Sequence, residues 1–233
     1  MIPRVQVIIP TSGDIRPETA AAVQALDYEN KSVRVQTCKP ISDHTNPYIR
    51  THRNANHTRN VARRNALKSD ASHFLFIDSD VAPPPNTIEG LLAMDTEAAA
   101  GWYPARWGNL ITYDRWVAGR WSGINVFSNY HFPWVIKEGD PDTHPFGDLK
   151  LNLETNEYEP DPIKSDLAPL GCLMLSRDVL ELLEFEDGTD QWCKIKGFDQ
   201  PTIRGNCLQF GVQLYHLGVD VIMSPRIKCN HVA

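Results

Sequence analysis

The chain has 233 residues, of which 42% are hydrophobic, and a formal net charge of -6 at pH 7. This length suits one large α/β domain or two small ones, and nothing in the overall charge argues for a nucleic-acid partner, so none is expected. The five cysteines are scattered and form no Cys-x-x-Cys pair. Neither a zinc ribbon nor a disulfide framework is therefore predicted, and a reducing compartment fits best.

The sequence also bears on membrane association and location. No apolar run approaches the length that a transmembrane segment needs. The first ten residues are too polar for a signal peptide. We therefore expect a cytoplasmic protein.

The first hundred residues alternate between predicted strands and predicted helices. Apolar or β-rich runs predict strands at residues 5–9, 32–38 and 74–77. Helical patterns occur at residues 16–26, 58–69 and 87–94, where Asn86 or Thr87 could serve as the cap of the last helix. Residues 39–57 are expected to form a loop because they are rich in Pro, Asn, Asp and His. This alternation predicts a parallel sheet with right-handed crossovers.

The second half is less regular. Residues 101–165 are rich in Trp, Tyr, Pro, Asn and Asp and lack helical periodicity, so we expect strands and long loops there. A further core strand is predicted at residues 168–175, followed by a helix at 177–183. A last helix at 209–217 should end at Gly218, and a short strand at 219–223 should follow it.

The segment Asp78-Ser79-Asp80 is the strongest candidate for a functional site. It follows an apolar run without polar alternation, which is typical of a strand buried on both faces. Open α/β sheets place their ligands at the carboxyl ends of such strands. Two carboxylates there predict a hard divalent cation that carries a phosphorylated ligand. The alternative is a solvated turn that merely ends the strand.

The order of these parts resembles the GT-A glycosyltransferases that use nucleotide sugars, in the broad family-2-like group. Five features carry the resemblance: the first strand ending at Pro10-Thr11-Ser12, the Arg59-Asn60 helix, Asp78-Ser79-Asp80 as a DxD motif, the strand from Gly171 to Arg177, and the closing segment 205–231. It covers most of the chain apart from residues 101–165.

The resemblance implies a fold and a domain organisation. The fold would be an α/β GT-A (Rossmann-like) domain with a mostly parallel central sheet flanked by helices and a loop-rich acceptor-side insertion. One domain would span residues 1–233. Residues 1–100 would bind the nucleotide, and residues 101–233 would bind the acceptor.

The resemblance also assigns roles on the donor side. The metal ligands would be Asp78, Asp80 and His231. A histidine ligand favours Mn²⁺ over Mg²⁺. Direct contacts to a UDP- or GDP-linked donor would come from Thr11, Ser12, Asp43, Arg59 and Asn60, and also from Asp78. A solvated amphipathic helix is the alternative for the basic residues around Arg59, and we prefer it for Arg64 and Lys68.

On the acceptor side, aromatic rings can stack on the apolar faces of sugars. A glycan or another hydroxyl acceptor would then contact Trp102, Trp107 or Trp134, and the resemblance implies that Gly171 also lies on the acceptor side. Core packing is the alternative for the tryptophans, and we expect most of them to be core, with one or two lining a groove.

The catalytic base is where the chain departs from the family pattern. Asn206-Cys207 stands where inverting relatives carry a Glu-Asp pair, and neither residue can deprotonate a sugar hydroxyl at neutral pH. The base of an inverting enzyme could instead be Asp199. Alternatively, the enzyme retains configuration and the leaving phosphate takes the proton, or the chain is inactive at this position. The retaining mechanism is favoured because the donor-side features persist.

Two further functions compete with glycosyl transfer. A nucleotidyltransferase usually carries a lysine in a Gly-rich loop after the first strand, and Pro10-Thr11-Ser12-Gly13-Asp14 lacks that lysine. A non-catalytic module that binds nucleotide sugars or glycans would account for the missing Glu-Asp pair.

Overall fold

A computed structural model describes residues 2–43, 45, 47–103, 114–117, 120–123, 150–152, 157–159, 163–165, 170–185, 210–211, 213–214 and 217–232. The elements of the first hundred residues alternate as expected: β1 (Val5–Thr11), α1 (Pro17–Gln24), β2 (Lys31–Thr37), α2 (Pro47–Ala66), β3 (His73–Ile77), β4 (Val81–Ala82), α3 (Thr87–Leu92) and β5 (Ala98–Trp102). The later elements are β6 (Asp114–Val117), β7 (Arg120–Gly123), β8 (Lys150–Asn152), β9 (Glu157–Glu159), β10 (Ile163–Ser165), β11 (Cys172–Ser176), α4 (Arg177–Leu182), β12 (Val221–Lys228) and β13 (Asn230–His231).

A seven-stranded sheet with the order β10-β12-β5-β11-β3-β1-β2 forms the centre of the fold. β1 pairs in parallel with β2 and β3, and β12 pairs in parallel with β5. Only β11 and β10 run against their neighbours, so the other five of the seven strands share one direction. The prediction of an α/β fold with a mostly parallel sheet and flanking helices is therefore confirmed.

The central strands are hydrophobic because helices cover both faces of the sheet. All of β1 and the last four residues of β3 are buried. Ile8 and Phe76 pack on one face with α2 and α4, whereas Val7 and Ile77 pack on the other face with α1 and α3. Because successive side chains of a strand point to opposite faces, a strand covered on both sides has no polar alternation. The expectation for the run before Asp78 is thus confirmed.

Helix α2 differs most from the prediction. It begins at Pro47, so the expected loop over residues 39–57 is wrong from Pro47 onward. Proline is tolerated in the first helical turn because the N–H that it lacks would have no partner there. Asn56 and Thr58 are buried, whereas Arg50 and Thr51 are exposed. Helix propensity is a weak guide that tertiary contacts override. Asn54 Oδ1 also accepts hydrogen bonds from the backbone N–H groups of residues 41 and 42 at 2.8 and 2.9 Å.

β11 runs antiparallel to β3, so the predicted strand from Gly171 to Arg177 starts where β3 ends and finishes where β3 begins. Cys172 pairs with Ile77, where β3 ends, and Ser176 pairs with His73, where β3 begins. Gly171 therefore lies next to Asp78, and Arg177 lies at the far edge.

At that far edge Arg177 connects several segments. Its guanidinium donates to the carbonyl oxygens of Ser69 at 2.6 Å and Ala71 at 2.8 Å and lies 5.3 Å from the centre of the Phe74 ring. These contacts fix the turn between α2 and β3. The role of Arg177 in the described part of the chain is therefore structural.

Within residues 101–165 the described residues lie in strands, apart from Tyr103. β6 pairs with β7 and β8 with β9, both antiparallel, and β10 joins the edge of the main sheet. Near the end of the chain, Phe210, Gly211, Gln213 and Leu214 are helical. Gly218 has a φ of 70°, which suits the predicted helix stop, and β12 extends beyond the predicted strand to Lys228. Among the described residues, no helix combines the length and apolarity that crossing a bilayer requires.

We expect Arg177→Lys to lower the free energy of unfolding by about 1–3 kcal/mol, because an ammonium cannot reproduce the fork of donors that binds two carbonyls. Urea denaturation measures the change. Arg64→Lys is the matched control, since Arg64 is exposed on α2 and should change stability by less than about 0.5 kcal/mol. Equal effects of the two substitutions would contradict this account of Arg177.

Candidate functional site

The candidate site lies where the parallel strands β1 and β3 end. Ile8 pairs with Phe76, so Thr11 at the end of β1 and Asp78 after β3 reach the same edge of the sheet. This is the edge where open α/β sheets hold their ligands. The site is thus built on the most buried strands of the fold.

The backbone of the Asp78-Ser79-Asp80 turn is fixed by neighbouring segments. Its hydrogen bonds are Val81 N to Asp78 O at 3.0 Å, Asp78 N to Gly171 O at 3.1 Å, Arg16 N to Ser79 O at 3.0 Å and Val232 N to Asp80 O at 2.7 Å. The turn is therefore joined to the loop before α1, to the start of β11 and to the segment after β13. A turn held in this way presents its two carboxylates in defined directions.

Asp78 is paired with a cation of the protein. Arg59 Nη2 donates to Asp78 Oδ1 at 2.6 Å, and the two side chains are 8% and 29% exposed. A guanidinium that is this buried needs an anionic partner, and a short charge-assisted bond supplies it. The pair fixes the orientation of Asp78 and compensates its charge.

Asp80 faces His231, which comes from the other end of the chain. His231 Nε2 lies 3.4 Å from Asp80 Oδ2, and the side chains are 11% and 18% exposed. The two-residue pairing of β13 with β4 sets this contact, because it places His231 opposite Val81. The structure thus brings together a carboxylate and an imidazole that the sequence separates widely.

Tyr103 completes the site, and sequence reasoning did not identify it. Its ring lies edge-to-face with the His231 imidazole at a centroid distance of 5.8 Å and an interplanar angle of 84°. Its hydroxyl accepts a hydrogen bond from Gly171 N at 3.0 Å. No sequence motif marks this tyrosine, because both contacts join residues that are far apart in the chain.

The other donor-side candidates that follow β1 and β2 are Thr11, Ser12 and Asp43, and they differ in burial. Thr11 is buried, and its hydroxyl donates to Gly13 O at 2.9 Å, which shapes the loop after β1. Ser12 and Asp43 are exposed, and the backbone just before Asp43 is held by Asn54. Both exposed side chains are accessible to a ligand.

Asn60 makes a reciprocal contact with a different segment. Its Nδ2 donates to Phe185 O at 2.8 Å, and its Oδ1 accepts from Phe185 N at 2.8 Å. Both polar ends of the side chain are thus engaged by the backbone that follows α4. Asn60 therefore bonds to the segment after α4, whereas its sequence neighbour Arg59 bonds to Asp78.

The acceptor-side candidates are only partly described. Gly171 is buried beside Tyr103, and Trp102 ends β5. Trp107, Trp134 and Asp199 lie outside the described residues, as do Asn206 and Cys207.

The residues at this edge fit a hard or borderline divalent cation. Asp80 Oδ2 and His231 Nε2 converge, and a carboxylate with an imidazole is a donor set that suits Mn²⁺. Among the described residues no group of three or more His, Cys, Asp or Glu side chains could hold a metal. A cation bound here would therefore need oxygen ligands from water or a diphosphate, as is usual for Mg²⁺-type sites.

The cysteines beneath the site are packing residues. Cys172 and Cys229 are buried free thiols, and Cys38 is a partly buried one. A hydrogen bond with Cys172, together with burial, raises the pKa of the Cys229 thiol well above its usual value. A thiol that remains protonated is a poor nucleophile and a poor metal ligand.

We expect Asn60→Ala to lower the free energy of unfolding by about 1–3 kcal/mol, because it leaves the backbone N–H and C=O of Phe185 without this partner. Thermal or urea denaturation measures the loss. If Asn60 acts only through Phe185, the affinity for UDP measured by calorimetry should change by less than about twofold. A loss of UDP affinity without a loss of stability would instead assign Asn60 to direct donor contact.

Comparisons with known proteins bear on the fold. No family model and no curated protein sequence matches the chain. Among solved structures, A197 from STIV matches with a TM-score of 0.53 and 14% identity, over 99% of this chain and 86% of that chain. GalNAc-T7, whose structure contains UDP, GalNAc and Mn²⁺, matches with a TM-score of 0.57 and 10% identity, over 99% of this chain and 43% of that chain. The chain thus spans less than half the length of GalNAc-T7, and the likeness shows a GT-A glycosyltransferase-like fold.

Proposed function

We propose that the protein is a metal-dependent glycosyltransferase that moves a sugar from a nucleotide-diphosphate sugar to a hydroxyl acceptor. The observation that carries this proposal is the convergence of Asp80 and His231 at the carboxyl edge of the sheet, beside the Arg59–Asp78 pair. The GT-A-like fold supports it, because GalNAc-T7 binds UDP, GalNAc and Mn²⁺ on a similar framework.

The chemistry explains why these groups belong together. When the sugar leaves, negative charge develops on the nucleoside diphosphate, and fixed positive groups lower the energy of that transition state. A bound Mn²⁺ or Mg²⁺ would neutralise the leaving diphosphate. Asp80 and His231 would hold that cation. Asp78, oriented by Arg59, would bind the cation's water molecules or the ribose of the donor.

The rest of the donor would lie along the ends of β1 and β2. We assign Thr11 and Ser12 to the base or ribose and Asp43 to the nucleobase. The hydrogen bonds from the backbone of residues 41 and 42 to Asn54 support this assignment, because they anchor the loop that carries Asp43. Asn60 would support the donor site through its contact with Phe185. Residues 1–100 would form the nucleotide-binding half of a single domain.

Residues 101–233 would form the acceptor-binding half. Gly171 borders the site through its bond to Asp78, and Trp102, Trp107 and Trp134 are the candidate stacking residues for a glycan. If the enzyme inverts configuration, Asp199 is the candidate base. We favour retention, in which the leaving phosphate takes the acceptor proton.

Calorimetry with UDP and GDP, with and without Mn²⁺, should detect metal-dependent binding of one of the two nucleotides. Asp80→Asn should weaken that binding at least tenfold, which is about 1.4 kcal/mol, because it removes a charged ligand without changing shape. Asp70→Asn is the matched control, since the Asp70 side chain is 72% exposed and pairs with Arg4 far from the site. An absence of metal-dependent binding for both nucleotides would refute the proposal.

A panel of nucleotide sugars, incubated with Mn²⁺ and followed by NMR, should reveal slow donor hydrolysis that Asp80→Asn abolishes. We expect the released sugar to keep the anomeric configuration of the donor, and the opposite anomer would point to an inverting enzyme. Binding without any turnover would indicate a non-catalytic nucleotide-sugar module. Release of pyrophosphate from a nucleoside triphosphate would indicate nucleotidyl transfer.

A further inference from the structure

We propose that Tyr103 is a positioning residue that holds the His231 imidazole in the orientation needed to bind the metal. This inference rests on the proposed function, because it assumes that Asp80 and His231 bind a cation. It concerns a residue to which neither the sequence motifs nor the family resemblance gives a role.

The first argument is the contact between the two rings. Tyr103 meets His231 edge-to-face, with centroids 5.8 Å apart and planes at 84°, which is a favoured arrangement for aromatic pairs. His231 lies in the short strand β13, which is bonded to β4 by only two residue pairs. The backbone therefore sets where His231 lies, and the tyrosine ring restricts how the imidazole turns.

The second argument is that Tyr103 is itself held rigidly. It is 4% exposed and packs with Ile227, Cys172 and Cys229 in the apolar cluster beneath the site. Its hydroxyl accepts a hydrogen bond from Gly171 N at 3.0 Å. Because packing holds the Tyr103 ring and a hydrogen bond holds its hydroxyl, the ring can restrict the orientation of the His231 imidazole.

The third argument is the need for a glycine at position 171. A Cβ at Gly171 would lie 2.6 Å from Tyr103 Cζ, so only glycine lets the ring approach this closely. The carbonyl of Gly171 accepts a hydrogen bond from Asp78 N at 3.1 Å. Tyr103 thus contacts His231 directly and is joined through Gly171 to the turn that carries Asp78 and Asp80.

A site with few protein ligands depends strongly on such support. If Asp80 and His231 are the two side-chain ligands, any free energy spent on ordering the His231 imidazole is subtracted from the free energy of metal binding. Because Tyr103 orders His231 before the metal arrives, its effect should show in metal binding itself.

The test measures Mn²⁺ binding by electron paramagnetic resonance of free Mn²⁺, with the full chain, in the presence and absence of UDP. Tyr103→Leu removes the ring and should weaken Mn²⁺ binding about tenfold. Tyr103→Phe keeps the ring against His231 and should stay within about threefold of the natural protein. Phe74→Leu is the matched control. It truncates a fully buried aromatic residue near the start of β3, at the end of that strand opposite the site, and should leave Mn²⁺ binding unchanged.

Thermal denaturation and circular dichroism of each variant show whether it is folded. If Tyr103→Leu does not fold, Gly171→Ala replaces it, because the added methyl group displaces the ring and should also weaken Mn²⁺ binding about tenfold. Unchanged Mn²⁺ affinity in the folded variant would overturn the inference, and so would an equal loss in Phe74→Leu. Asp80→Asn separates the two proposals: if it leaves Mn²⁺ binding intact, the proposed metal site is wrong, whatever Tyr103 does.

Discussion

Two partly buried carboxylates that follow a buried strand each need a partner, and this constraint organises the site. Asp78 has Arg59 from α2 as its partner, and Asp80 lies next to His231 from the end of the described chain. Partly buried charge is costly unless it is paired and hydrogen-bonded. The two pairs differ in kind, because a guanidinium is a permanent cation whereas an imidazole can also act as a metal ligand. The difference suggests separate roles for the two acids.

The fold supplies these partners from distant parts of the chain. α2 crosses the sheet so that Arg59 reaches the end of β3, while Tyr103 directly follows β5 and Gly171 directly precedes β11. β13 closes the arrangement by pairing with β4 directly after the Asp78-Ser79-Asp80 turn. The site therefore lies where the central strands are most buried.

Much of this framework could be predicted from the sequence because local patterns carry it. The apolar run before Asp78 predicted a doubly covered strand, and the rule for carboxyl ends predicted the location of the acids. The direction of β11 could not be predicted, since an apolar run looks the same in parallel and antiparallel sheets. The start of α2 at Pro47 was missed because residues 39–57 have the Pro, Asn, Asp and His content that is typical of loops. Tyr103 was missed because its contacts are entirely long-range.

The central claim is that Asp80 and His231 hold a divalent cation together with a nucleoside diphosphate. Diffraction data collected near the manganese absorption edge, from crystals grown with MnCl₂ and UDP, test it most directly. We predict one anomalous peak within coordination distance, about 2.0–2.3 Å, of both Asp80 and His231 Nε2 and next to the diphosphate. A nucleotide bound at this edge without a peak beside these residues, or a peak elsewhere in the protein, would contradict the account.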